Sequence, residues 1–506
     1  MKKKLIIILY IAIILLLAAD SCLFYAKKDF SRDKTFSLSD ITLKILELVD
    51  EKVQITYYVS DSLKTMYPSV KDITEFLKAY SVVSKNVYTV VKDPQKNGIT
   101  EMLSSLGIYP QQIQTTENNK TSFSEVFSAI TIEYKGNTEV IPFVLSTMSL
   151  EYDIDSRLKY LITRIPRQAA LLCANGLSLE ADYKYLVPWL ESSGFVCMQI
   201  DADELPLMSR HIPLVVIGSS LLTSNDVLNI ENFIMSGGNA AFCVSSNDVE
   251  IFTDWSVTPV KNNSLLELLD FWGIKVCPEM LLDISNYRIT MQTPDNSRIH
   301  NEYINYPFWI VSQYNGVAHD HPLTVGYSGL EFYWPSPLEL FENDTVSIKP
   351  IFNTSPGAWL LKETKDGFDT NPFSTQIPDE STKGIYTIAA ALEGKVSGFY
   401  NTGKSQDVRI FVTGDQYFVS NMIEYTNSPH NQDFFTNVML WLSGEDSLLS
   451  IREKGMSNSQ LIKITDEQQF TQQKKLTVIV CFVLLPLLVV FVYIIVILLR
   501  KRFNNE

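Results

Sequence analysis

The sequence predicts an α/β protein: a βαβ unit, then a doubly wound, Rossmann-like parallel sheet with a β-rich insertion, flanked by two transmembrane helices. Three observations carry this. Apolar, strand-like runs alternate with amphipathic, helix-length segments from Val53 to Leu442, the pattern of a parallel sheet covered on both faces. Hydrophobic residues make up 46% of the chain and charged ones 20%, which excludes a largely disordered protein. The longest apolar stretches, Leu5–Ala19 and Leu476–Leu499, lie near the two ends. With Lys+Arg 42 against Asp+Glu 57, the net charge of −15 also argues against nucleic acid as a partner, because phosphate recognition needs a basic footprint.

Leu476–Leu499 carries no charge and is followed by Arg500, Lys501 and Arg502. It exceeds the roughly 20 apolar residues that cross a bilayer, and Pro486 is tolerable within such a helix. Leu5–Ala19 follows Lys2, Lys3 and Lys4 and continues through Cys22 to Tyr25. It reads as a retained anchor, with signal-peptide cleavage near Ala19-Asp20-Ser21 or lipid attachment at Cys22 as alternatives. Basic residues at both outer ends place both termini in the cytoplasm, with Lys27, Lys28, Lys474 and Lys475 competing weakly. The expected localisation is the cytoplasmic (inner) membrane, two-pass, with an extracytoplasmic body and the lipid bilayer as a partner. The expected organisation is an anchor at 1–26, an α/β domain at 27–166 and a doubly wound domain at 167–445. An insertion occupies about 262–382, followed by a polar tether at 446–475, a membrane helix at 476–499 and a basic tail at 500–506.

Along the body, Ser39 reads as an N-cap ahead of an apolar face formed by Ile41, Ile45, Leu48 and Val49. A strand at 53–60, a helix at 70–80 and a strand at 86–94 make the βαβ unit. A polar loop (TTENNKTS) follows, then two strands joined at Gly136-Asn137, a hairpin signal. A helix running to Ile165 closes the domain. The second domain opens with a strand at 168–176 and a helix at 178–193. Strands at Gly194–Asp201 and Ile212–Ser220, a helix at 224–236 and a strand at 240–246 continue it. After the insertion the sheet resumes at Gly384–Gly394 and Asp407–Asp415, and a helix follows at 433–444. Cys173, Cys197, Cys243 and Cys277 lack the paired spacing of a zinc site and read as buried thiols, with one disulfide as the alternative.

Gly398-Phe399-Tyr400-Asn401-Thr402-Gly403-Lys404-Ser405 fits the phosphate-loop pattern G-x-x-x-x-G-K-S. That chemistry needs a helix after the loop, and Gln406–Gly414 reads as a strand. The match is therefore expected to be an ordinary turn, and no cofactor is expected. His319 and His321 lie two residues apart without a third ligand at a suitable spacing, so a surface turn at Pro322 is expected and no metal. Gly218-Ser219-Ser220-Leu221-Leu222 stands where a nucleophile elbow would sit but lacks the second glycine; Thr223 or Ser224 as a helix cap explains the hydroxyls. No residue is assigned a catalytic role. If the sheet holds a crevice, Asn175, Ser219 and Ser246 at strand carboxyl ends are the residues to line it.

Several stretches together point to a family. They are Lys34–Ser39 with Thr42, Ile45 and Leu46; Tyr57-Tyr58-Val59; Val91-Lys92-Asp93-Pro94; Leu268–Val276; and His321-Pro322-Leu323-Thr324. The most specific is Arg409–Phe418 followed by Asn431–Phe435, Asn437, Trp441 and Leu442. Between two apolar terminal helices, this order of elements resembles the GldG-type family, auxiliary components of ABC transport systems linked in some bacteria to gliding motility. The resemblance implies a thioredoxin-like first domain. It also implies a membrane-anchored, non-catalytic, substrate-binding-like subunit beside an ABC permease and a separate ATP-binding subunit. It supplies no functional residues. The competing expectations are an extracytoplasmic hydrolase or class I amidotransferase-like enzyme, with Ser219, Ser220 or Cys243 as nucleophile, and an envelope scaffold protein.

Overall fold

The computed structural model describes residues 37–456 except 118–119, 175, 252, 296–297, 314–315, 319, 325–326, 328, 366, 375 and 377, together with 474–475. This body belongs to the compact unit Met1–Ser457. The fold is mixed α/β.

The first sheet has β1 (Val53–Val59), β2 (Val87–Lys92), β3 (Ser128–Tyr134) and β4 (Asn137–Ile141), in the order β2-β1-β3-β4. Only β1 and β2 run parallel. Helix α1 (Asp40–Glu47) starts at Ser39, whose hydroxyl accepts from the Thr42 N–H at 3.2 Å, the cap read from the sequence. α2 (Ser69–Val83) buries Val70, Ile73, Phe76, Leu77 and Tyr80, an i, i+3, i+4 stripe. α3 (Leu150–Thr163) closes the unit. The polar stretch expected as a loop is instead a two-stranded hairpin, Gln111–Glu117 with Lys120–Val126.

The second sheet has nine strands: β5 (Arg167–Cys173), β6 (Phe195–Gln199), β7 (Leu214–Ile217), β8 (Ala240–Cys243), β9 (Ile274–Val276), β10 (Leu338–Leu340), β11 (Val346–Asn353), β12 (Thr387–Gly394) and β13 (Val408–Thr413). The order is β9-β10-β12-β13-β8-β7-β5-β6, with β11 also on β12. β6, β5, β7, β8 and β13 are mutually parallel; the pairs among β9 to β13 that include β12 or β10 are antiparallel. The expectation of a wholly parallel sheet is thus corrected. Residues 395–407 join β12 to β13 through a turn without a crossover helix, so these strands run antiparallel. The stretch expected as an insertion supplies β9, β10 and β11 to this same sheet.

Alternate residues of the parallel strands enter two cores, because side chains on a strand point to opposite faces. Ala169, Leu171, Val215, Ile217, Ala241 and Phe411 pack with Phe434, Phe435 and Val438 of α4 (His430–Leu442). Ala170, Leu172, Val216, Phe242, Ile410 and Val412 pack with Val227, Ile230 and Ile234 of a helix at Ser224–Met235 and with Leu265, Leu268 and Leu269 of one at Ser264–Phe271. The first part of the expected tether is a helix, Asp446–Met456. Leu448, Leu449 and Ile451 bury its apolar side in the core.

The two-pass membrane placement is corrected. Among the described residues no helix is long and apolar enough to cross a membrane. The longest, α2, has 15 residues, about 22 Å at 1.5 Å per residue, against a hydrocarbon core of about 30 Å. The segments that carried the expectation, 5–25 and 476–499, lie outside the described residues.

Candidate functional site

The five parallel strands stand in the spatial order β6-β5-β7-β8-β13, which is 2-1-3-4-5 in chain order. In such a sheet the connections leave β5 and β7 toward opposite faces, and the crevice between their carboxyl ends is where ligands bind. Asn175, one of the three residues expected there, lies outside the described residues. Ser219 follows β7 and Ser246 follows β8, and both are buried.

The chain itself crosses this crevice. The segment after β13, Asp415–Asn421, folds across it. The Gln416 carbonyl accepts from the Tyr183 hydroxyl at 2.8 Å, and Asn421 accepts from the Lys184 N–H at 3.0 Å and donates to the Ala181 carbonyl at 2.6 Å. The Gln416 amide donates to Asp248 at 3.0 Å, and Asp248 accepts from the Ser220 hydroxyl at 2.7 Å. From above, Ser336 donates its N–H to the Gly414 carbonyl at 2.8 Å and its hydroxyl accepts from the Ser246 N–H at 3.1 Å. The Asp415 carboxylate accepts from the N–H groups of Tyr333 and Tyr417, each at 2.7 Å. Burial nevertheless pushes it up to about 8. An aromatic block of Trp255, Tyr306, Trp309 and Trp334, with ring centroids 5.2–6.2 Å apart, roofs this side. The sequence reading missed Asp415, Gln416 and Asn421; the polar Gly414-Asp415-Gln416 run at a strand's carboxyl end was the available signal.

The chemistry of these groups is limited. The Ser219 hydroxyl faces the Ser245 carbonyl at 3.5 Å, and neither it nor Ser220 has an imidazole partner among the described residues. Thr223 caps the following helix in a reciprocal box with Asp226, so this turn is built as a helix start. Cys243 is fully buried, and its thiol is raised well above the ordinary value by burial, which suppresses the thiolate. Cys173, Cys197 and Cys277 are pushed up to about 12 by burial, and all four are free thiols.

The two remaining motifs are also placed. Gly398–Ser405 connects β12 to β13, with Ser397 bridged to Lys404. Its amides do form an anion-binding nest, but the anion is the buried carboxylate of Glu231. That group accepts from the N–H of Phe399, from the N–H of Tyr400 at 3.0 and 3.1 Å, and from the Asn401 amide at 3.1 Å. The Ser405 hydroxyl is engaged by the Val396 N–H at 3.0 Å and the Gln406 carbonyl at 2.6 Å, and Lys404 is exposed. His321 is not on a surface turn: it is buried against Trp441, and burial lowers its imidazole to about 4. His319 lies outside the described residues, among which no cluster of three metal-ligating side chains occurs.

Fold and site define an α/β protein with a flavodoxin-like strand order whose switch-point crevice is crossed by its own chain at Asp415–Asn421. Residues 167–438 match the family described as ABC-type uncharacterized transport system, and residues 32–133 match a domain of unknown function, DUF7088. The first match spans more than half of the sequence, and the chain belongs to that family of ABC transport auxiliary proteins. An uncharacterized protein of Borreliella burgdorferi is 26% identical over 503 residues, covering 98% of each chain. Among solved structures, a putative ThuA-like protein from Bacteroides uniformis is 12% identical with a TM-score of 0.31, covering 55% of this chain and 93% of its own. The exo-β-1,4-mannosidase Op5Man5 from an Opitutaceae bacterium is 8% identical with a TM-score of 0.25, covering 76% of this chain and 49% of its own. Likenesses this distant inform neither fold nor activity.

Proposed function

We propose that the protein is a non-catalytic, substrate-binding-like accessory subunit of an ABC transport system, working beside a permease and a separate ATP-binding subunit. Family membership gives the accessory role. The observation that favours a non-catalytic one is the crossed crevice: where an α/β enzyme of this strand order would hold substrate, Gln416 and Ser220 both bind Asp248. The Glu231-filled nest at Phe399–Asn401 supports the same reading, since energy from ATP then comes from a partner. We further read the first domain as thioredoxin-like from its β2-β1-β3-β4 order. The turn after β1, where a redox dithiol would stand, carries Ser60-Asp61-Ser62-Leu63. The GldG-type resemblance fits this assignment, without any link to gliding.

The test is affinity isolation of the tagged full-length chain from detergent-solubilised cells, with partners identified by mass spectrometry. Co-isolation of an ABC ATP-binding subunit and a permease in near-stoichiometric amounts is expected. Recovery of the chain without either would remove the assignment.

A further inference from the structure

The amino-terminal ends of the parallel strands, opposite the crevice, carry an open cavity of about 330 Å³. The start of β5, Gly194 ahead of β6, the loop at 209–212 before β7, the end of α3 and the turn at 443–445 enclose it. Its volume lies at the lower end of small-molecule sites. Tyr160, Ile165 and Ile212 give it apolar walls, and Ile165 is 73% exposed. Lys159, Arg167 and His211 bring basic groups to it, against one carboxylate, Glu445, which is paired with Lys159.

Arg167 is the informative residue. Its Nη2 donates only to neutral acceptors: the Ser193 and Gly194 carbonyls at 3.1 and 3.3 Å and the Ser156 hydroxyl. Its guanidinium lies 5.4 Å from the Phe195 ring centroid. Nε is buried and without a hydrogen-bond partner, and no carboxylate pairs with this cation among the described residues. The fold makes room for it: a Cβ on Gly194 would come within 2.3 Å of Nη2. A partly buried cation without a counter-ion is costly, and a planar guanidinium matches the oxygens of a carboxylate or phosphate.

We propose that this cavity binds a small organic oxyanion, a carboxylate or phosphate monoester with a compact apolar body. Arg167 takes the charge, Ile165 and Tyr160 take the body, and His211 stands at the rim. The site is separate from the switch-point crevice and does not depend on the transport assignment.

Isothermal titration of the full-length chain with phenyl phosphate, benzoate and neutral benzyl alcohol tests this. Saturable binding of at least one anion is expected, and none of the alcohol; which anion binds more tightly identifies the head group. Arg167→Met should weaken binding at least about tenfold, the loss of one charge-assisted contact worth about 1.4 kcal/mol. Should that variant fail to fold, His211→Glu decides, because it sets a carboxylate at an exposed position on the rim and should also weaken whichever anion binds. Absence of anion binding, binding of the alcohol equal to that of the anions, or undiminished affinity in a folded Arg167→Met or in His211→Glu would overturn the proposal.

Discussion

Replacing Glu231 by glutamine should loosen the Gly398–Ser405 turn, although the substitution is nearly isosteric. The carboxylate takes bonds from two backbone N–H groups and one side-chain amide of that turn, in a fully buried position. Glutamine keeps one acceptor oxygen and turns an NH2 group toward donors, so about two charge-assisted bonds are lost. At about 1.5–3 kcal/mol each, less what the remaining amide oxygen recovers, the cost is about 3 kcal/mol. For a cooperative body of roughly 420 residues, an unfolding entropy near 2.1 cal/mol/K per residue converts this to a Tm drop of about 3–4 °C. Differential scanning calorimetry measures that drop, and amide hydrogen exchange should quicken at Phe399, Tyr400 and Asn401. Lys404→Ala is the comparator: its side chain is exposed, so Tm should move by less than about 1 °C. A Glu231→Gln variant with unchanged Tm and unchanged exchange would refute the reasoning.

Other predictions concern burial and close approach. Asp155 is buried beside Glu151, with Thr42 Oγ1 2.5 Å from Asp155 and 2.6 Å from Glu151. Burial first, and then the Glu151 charge, raise it to about 8. Between about pH 4 and 8 the folded chain keeps a proton that the unfolded chain has released, so stability falls as pH rises through this window, by up to about 1.4 kcal/mol per pH unit. Urea titrations at several pH values should show this fall, and Asp155→Asn should make it shallower. Gly414→Ala should destabilise by more than about 3 kcal/mol or prevent folding, since a Cβ there would lie 2.0 Å from the Ser336 carbonyl oxygen; the urea midpoint reports it. A fluorophosphonate probe should label neither Ser219 nor Ser220, and specific labelling of either would restore the hydrolase alternative.

The parallel strands were legible because β7 and β8 are short, wholly apolar runs, and caps such as Ser39 and Thr223 act on residues three positions away. The elements that escaped depend on distant partners. β9 and β10 have three residues each, too few for a period to show, and become strands only by pairing with each other and β12. The 111–126 hairpin has a polar sequence, and its arms are defined by their mutual register. Glu231 meets its turn across 168 residues of sequence, so the nest was visible as a motif and its occupant was not. Asp446–Met456 looked polar because its apolar residues are few, yet three of them are buried. The charged and proline neighbours of His321 point to the surface, whereas Trp441 on α4 covers it.

ATP turnover tests the central claim most directly. Measured on the purified chain, on the co-isolated permease and ATP-binding subunit without it, and on the full assembly, the account predicts no hydrolysis by the chain alone. It predicts a turnover of the assembly that changes when the chain is omitted and is the same with Lys404→Ala as with the native chain. Hydrolysis by the chain alone that Lys404→Ala abolishes would contradict it.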